Sequence, residues 1–213
     1  MSPKDQSAQQ WNQNGEKARR EGQYPQAVHY FTAAIKCAPK DSYFYNRALA
    51  QLSQNTNLLQ NATYALDDFL AFLALTADAY LNFIQTTDQV AQQAATHDMF
   101  KQLLLINQCY LLATNPFQFN LTDLQHLRED LLAAHFSDYA HVPFSTNFKQ
   151  HLHQLQPLLD LMIMVLSNPQ WYFSAARADV RQLFETDGAK KLLQLIQFLT
   201  IQLPTEGGVN HGL

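Results

Sequence analysis

The sequence predicts an all-α fold of about eight to twelve helices, and three observations predict it. Apolar residues make up 47% of the 213 positions, charged residues only 15%, and glycine occurs six times, a composition that suits packed helices rather than Gly-rich β turns or disorder. Apolar positions recur at three- and four-residue intervals along most of the chain, with no competing alternation of period two. The interruptions are helix stops: Gly22 with Pro25, Pro39, and the amide run from Ser53 to Asn57.

Taken in order, residues 1–7 are polar and read as a flexible tail, with helix beginning at Ala8. That first helix carries Trp11 and Ala18 and stops at Gly22, which suits the left-handed residue closing a helix. Pro25 suits the first turn of a second helix, whose stripe is Ala27, Val28, Phe31, Ala34 and Ile35. Pro39 ends it, so residues 8–39 form an αα-hairpin with both limits encoded. A third helix spans Tyr43 to Leu52 and a fourth Leu58 to Leu75, with Ala62, Ala65, Leu66, Phe69, Leu70 and Leu73 apolar. Further helices are expected near 77–93 and 97–113, then from Thr122 or Asn120 to Ala134 on a face of Leu121, Leu124, Leu127, Leu131 and Leu132. Residues 135–148 lack a helical period and hold Phe136, Tyr139, Phe144 and Phe148, a connection pinned by aromatic anchors. Residues 148–167 are apolar almost all round, a central helix with a kink expected at Pro157, and Asn168-Pro169 opens another element. The last helix, Lys190 to Leu203, has a narrow polar stripe at Gln194 and Gln197 and ends at Pro204. The expected organisation is an amino-terminal unit at 8–75, a larger helical region at 76–205 packing on it, and a second flexible tail at 206–213.

Net charge is −4. The first 41 residues hold six Lys/Arg against four Asp/Glu, leaving eight against fourteen in the remainder. The only basic cluster, Lys17-Ala18-Arg19-Arg20, is one turn of solvated helix, so a nucleic-acid partner is not expected. No Lys or Arg falls between Arg47 and Lys101, so the helices there are solvated by amides or mostly buried. The longest apolar run, 158–166, is too short to span a bilayer, and MSPKDQSAQQ lacks the apolar segment of a leader, so no membrane association is expected and a cytoplasmic location is. Cys37 and Cys109 share no metal spacing and read as free thiols in a reducing compartment. Asn61-Ala62-Thr63 and Asn120-Leu121-Thr122 match glycosylation sequons that a cytoplasmic chain does not use.

Catalytic signatures are missing. No HExxH, GxSxG or phosphate-cradling loop occurs, and no cofactor is expected. His126, His135, His141, His151 and His153 crowd one region with Asp123, Glu129, Asp130 and Asp138, but without ligand spacing. A metal-dependent enzyme or metal-binding protein using 126–153 is the alternative reading. Asp67 and Asp68, adjacent in sequence, diverge around a helix and read as surface charge rather than an acid–base pair. Fourteen Phe and nine Tyr also leave room for an apolar patch and self-association, although the helices at 158–166 and 190–203 are expected to pack on each other as caps.

The intervals Trp11, Gly15, Ala18, Gly22, Tyr24, Ala27, Phe31, Ala34 and Pro39 carry a family likeness: residues 8–41 resemble a tetratricopeptide repeat. Small residues stand where two helices approach closely, and aromatic residues fill the gaps beside them. Asn14 departs from the pattern, standing where the family has a large apolar residue. Tyr45-Asn46-Arg47-Ala48 and Ala65-Leu66-Asp67-Asp68 are similar to the two helices of a second repeat over 42–75, lengthened by the amide turn. The resemblance implies stacked antiparallel hairpins in a right-handed superhelical array, and a scaffold or adaptor that binds a protein or peptide through a concave face of first helices. On that face it places Asn12, Glu16, Arg19 and Asn46 as partner-binding residues.

One subclass of such repeats grips the carboxylate of chaperone C-termini with Lys and Asn from the first helix, Asn from the next repeat, and a basic pair from a third. Here Asn46 matches, but Asn12 stands in place of the Lys and Glu16 in place of the first Asn. The stretch 48–100 offers no basic pair. The expected function is therefore non-enzymatic protein binding of another type, either by this chain alone or as the amino-terminal interaction region of a larger multidomain protein.

Overall fold

A computed structural model describes residues 2–84, 156–167, 177–185 and 187–201, together with scattered helical positions between 90 and 110. Among these residues there are seven helices and no strands: α1 (Pro3–Arg20), α2 (Tyr24–Cys37), α3 (Asp41–Leu52), α4 (Leu58–Ile84), α5 (Gln156–Ser167), α6 (Ala178–Glu185) and α7 (Gly188–Ile201). The chain is all-α, as composition and periodicity predict.

Helix α1 starts earlier than its apolar pattern. Ser2 caps it: the Asp5 amide donates to Ser2 Oγ at 3.1 Å, and the Ser2 amide donates to Asp5 Oδ2 at 3.1 Å, a reciprocal capping box followed by Pro3. The Ser2 hydroxyl also donates to the Asp5 carboxylate and holds it below its usual range. Residues 3–7 are thus the first turns of a helix and not a tail. The capping residues, not apolar periodicity, set this boundary.

The α1–α2 turn follows the sequence closely. Gly22 has φ +74°, and Pro25 lies in the first turn of α2. Across the hairpin, Gly15 gives room to the Phe31 ring; a Cβ at Gly15 would stand 2.6 Å from Phe31 Cε1. Ala18, Ala27 and Phe31 are buried together with Ala50 of α3. Beside this contact Trp11 stacks on Tyr30, ring centroids 5.7 Å apart, so the larger aromatic pair closes the edge of the hairpin.

The amide turn 53–57 ends with Asn57 at φ 51°, and Asn61 closes it by donating from Nδ2 to the Thr56 carbonyl oxygen at 2.5 Å. Asn61 is buried, so this sequon position is occupied by a structural hydrogen bond. Helix α4 then continues through Leu75–Ala77, where the sequence reading separates two helices and two regions. Nothing there stops a helix: Ala74 and Ala77 are buried, and Thr76 Oγ1 donates back to the Phe72 carbonyl oxygen at 2.9 Å. The boundary between 75 and 76 therefore falls in the middle of α4.

Packing is sequential along the amino-terminal half: α1 on α2, α2 on α3 and α3 on α4. Helix α7 lies against both α4 and α5, so the two apolar carboxyl-terminal helices do pack on each other, and they share one apolar core with α3 and α4. Met99, Leu103, Ile106 and Cys109 present one helical face to that core. Positions Ala65 to Ala71 of α4 are all buried, which places this helix in the interior and answers how a stretch without Lys or Arg is accommodated. Gln194 and Gln197 of α7 are exposed, as the polar stripe requires.

Candidate functional site

Three of the four residues expected on a binding face come together. Asn12 and Glu16 lie one turn apart on α1, and Asn12 Nδ2 donates to Glu16 Oε1 at 2.8 Å. Asn46 of α3 donates from Nδ2 to Asn12 Oδ1 at 3.2 Å and stands 3.5 Å from Glu16 Oε1. All three are part-buried, and the bonds span 34 and 30 positions of sequence, so the polar set bridges α1 and α3. Arg19 lies one turn beyond Glu16 on the same side of α1. Its Nε is buried and has no hydrogen-bond acceptor among the described residues. The face thus offers a carboxylate held by two amides beside a guanidinium. A peptide carboxylate brought to Glu16 would meet like charge.

A second polar site lies in the interior, and the sequence reading missed it. Asp67 and Asp68 are both buried, Asp68 completely, which corrects their assignment to the surface: α4 is covered on several sides, so two residues 100° apart on it both face protein. Arg47 of α3 is also fully buried. Its Nη2 donates to Asp68 Oδ1 at 2.7 Å and its Nε to Asp68 Oδ2 at 3.0 Å, a two-pronged pair. Arg47 Nη1 donates to Thr32 Oγ1 of α2 at 3.1 Å and to Asp179 Oδ2 of α6 at 2.6 Å. Arg177, just before α6, donates to the Tyr64 carbonyl oxygen at 3.0 Å and pairs with Asp68. Aromatic faces cover both cations: Arg47 sits 5.5 Å from the Phe44 ring centre and Arg177 5.2 Å from that of Tyr64.

The charges shift one another. Burial would push the Arg47 guanidinium down, but the Asp68 and Asp179 carboxylates outweigh it and raise it. Burial likewise pushes Asp179 up, and the Arg47 guanidinium more than offsets this, leaving Asp179 below its usual range. Asp67 is different: burial dominates, and its carboxyl is pushed up to about 7 in spite of Arg177 nearby. One signal in the sequence pointed to this cluster. Two aspartates inside an apolar helix that has no Lys or Arg near it need cations from elsewhere, and Arg47 is the last one before the gap.

The cysteines carry no such chemistry. Cys37 and Cys109 are free, and burial pushes the Cys109 thiol far up, away from the reactive thiolate. The histidines of 126–153, the aromatic stretch 135–148, the Asn120 sequon and the tail at 206–213 lie outside the described residues. No helix among the described residues is long and apolar enough to cross a membrane. No family model, curated protein or solved structure matches this chain.

Proposed function

We propose that this chain is a non-enzymatic interaction protein of the cytoplasm, in which α1–α4 act as two tetratricopeptide-like hairpins and bind a peptide or partner protein on the side formed by α1 and α3. The observation that carries this reading is the hydrogen-bonded set Asn12, Glu16 and Asn46, which joins the two first helices across one polar, part-buried surface. Support also comes from the sequential packing of four helices and from the Gly15–Phe31 contact, the close approach that the repeat pattern encodes. The partner is a protein segment carrying both signs of charge: Glu16 receives a cation or N–H donor, Arg19 an acceptor.

The test is a displayed random-peptide selection on the full chain, followed by anisotropy titration of the selected peptides. Arg19→Glu and Asn46→Ala are expected to weaken binding about tenfold or more, the effect of losing roughly one charge-assisted contact, with the helical circular-dichroism melt nearly unchanged. Peptides whose affinity ignores both substitutions would place the binding surface elsewhere. A calorimetric titration with an acidic chaperone C-terminal peptide is expected to give no heat of binding. Micromolar affinity abolished by Asn46→Ala would overturn that exclusion.

A further inference from the structure

The hydrogen-bonded set of Asn12, Glu16 and Asn46 has a direction. Asn12 Nδ2 donates to Glu16 Oε1 at 2.8 Å, and Asn46 Nδ2 reaches both Asn12 Oδ1 at 3.2 Å and Glu16 Oε1 at 3.5 Å. A carboxylate only accepts, which fixes the end of each amide that faces it. All of these donors fall on one carboxylate oxygen. Glu16 Oε2 and Asn46 Oδ1 accept no hydrogen bond among the described residues. The buried side-chain atoms without a partner there are Arg19 Nε, Gln102 Oε1 and Arg177 Nε, so both open acceptors reach the surface.

Glu16 also lacks a cation. Arg19 and Arg20 follow it by three and four positions, the spacings at which a helix pairs opposite charges. Among the described residues, however, the ion pair on α1 is Lys17 with Glu21. The two amides hold Glu16 toward α3 instead. The result is a fixed, part-buried negative charge with one oxygen uncommitted.

We propose that this trio is a receptor for a lysine ammonium of the partner, a reading that rests on the α1–α3 face being the binding surface. An ammonium carries three donors and no acceptor, and it is compact enough to bond Glu16 Oε2 and Asn46 Oδ1 together. A guanidinium takes a carboxylate best as a two-pronged fork, which needs both oxygens. The interior of the same fold shows that mode, where Asp68 gives both of its oxygens to Arg47. Glu16 can do so only by releasing Asn12 and Asn46, whose part-buried donors would then lose their acceptor. Arg19, on the opposite side along α1 from Asn12, adds a like charge that weighs more against a broad cation than a compact one. Lysine recognition also makes the site sensitive to modification. Acetylation removes the charge, and trimethylation keeps the charge but removes every donor, so each releases the partner for a different reason.

The test uses the full chain and random peptide mixtures of one length, each with a single fixed central residue and no other basic residue. The central residue is lysine, arginine, acetyl-lysine, trimethyl-lysine or norleucine. Capture is measured for the wild type, Glu16→Gln, Asn46→Ala and Arg19→Glu; Glu16→Gln keeps an oxygen for the two amides and drops the charge. Central lysine is expected to be captured severalfold better than arginine. Over the other three residues its advantage is expected to be about tenfold, the size of one charge-assisted hydrogen bond. In Glu16→Gln the five mixtures are expected to level. Equal capture of lysine and arginine, or a lysine preference that survives Glu16→Gln, overturns the lysine receptor. If capture still falls in Asn46→Ala and Arg19→Glu, the α1–α3 face stands as the binding surface without it. Capture that ignores both of those substitutions, or no capture of any mixture, removes the face and the receptor together.

Discussion

The two amino-terminal hairpins solve the same packing problem by different means. In α1–α2 the helices meet through shape: Gly15 against the Phe31 ring, Ala18 and Ala27 beside it, Trp11 stacked on Tyr30 at the edge. In α3–α4 the contact encloses Arg47 and Asp68, and its ion pairs are completed by Arg177 and Asp179 from 109 and 132 positions away. The first hairpin is specified locally. The second depends on the carboxyl-terminal segment, which it recruits through Arg47 and Asp68. Shape complementarity tolerates loss of a group by partial relaxation, whereas a buried charge stripped of its partner has no such recourse.

The sharpest way to break this contrast is to remove Asp68. Asp68→Ala leaves Arg47 with Asp179 and the Thr32 hydroxyl, and Arg177 with no carboxylate bonded to it among the described residues, so a loss of about 3–5 kcal/mol of stability is expected by urea denaturation. The loss should come with deprotection of α6 in hydrogen exchange. A cost below about 1 kcal/mol would show the cluster to be hydrated and the difference between hairpins to be one of appearance.

Next in size comes Gly15→Ala. An alanine in a helix is ordinarily favoured over glycine by about 1 kcal/mol. Here the added Cβ would lie 2.6 to 2.9 Å from three atoms of the Phe31 ring, and overpacking of a buried aromatic costs about 1–3 kcal/mol. Net destabilisation is expected, and Phe31→Leu combined with it should cost less than the sum of the two single changes. Additive costs would mean the helices move apart freely, contrary to a shape-specified hairpin.

How much of this was legible in the sequence divides along the same line. Gly22, Pro25 and Pro39 act on their own backbone, so both ends of the first hairpin could be read directly, and Gly15 could be read from its spacing to Ala18 and Phe31. The all-α class and the polar stripe of α7 followed from periodicity. The burial of Asp67 and Asp68 did not, because adjacent residues on a helix diverge and an apolar-face argument assigns at least one of them to solvent. Their burial depends on α4 being covered from several sides, a tertiary fact. The start of α1 and the continuity of α4 were missed for a related reason: Ser2–Asp5 capping extends a helix into polar text, and an unbroken helix needs no apolar period at every turn. Asn12, Glu16 and Asn46 were placed on one face through the repeat resemblance, yet their mutual hydrogen bonds needed coordinates to see.

A smaller effect separates the two kinds of glycine. At Gly22 no atom of the described residues lies within 4 Å of an added Cβ, and the strain expected there is that of the backbone. Gly22→Ala at φ +74° is expected to cost about 1 kcal/mol, from the left-handed conformation of an L-residue, and no change at Phe31 should rescue it. Rescue of Gly15→Ala by Phe31→Leu together with no rescue of Gly22→Ala would assign one glycine to packing and the other to the turn.

The smallest expected effect is the most instructive about charge. Lys191 Nζ and Asp78 Oδ2 are 2.6 Å apart, the same separation as Arg47 Nη1 and Asp179 Oδ2. Distance alone would rank the two bridges equal. Their surroundings do not: the Lys191 and Asp78 side chains are 44% and 55% exposed, against 1% for Arg47. Water and salt screen the outer pair, and holding a long lysine in one rotamer offsets much of what attraction remains. Lys191→Gln should therefore leave the thermal melt within experimental error in 0.15 M salt, roughly the ionic strength at which the Debye length falls to about 8 Å. A drop comparable to that of Asp68→Ala would mean that α7 depends on a charge at its surface as heavily as α6 depends on charges inside. Burial would then have to be given up as the property that sets the two bridges apart.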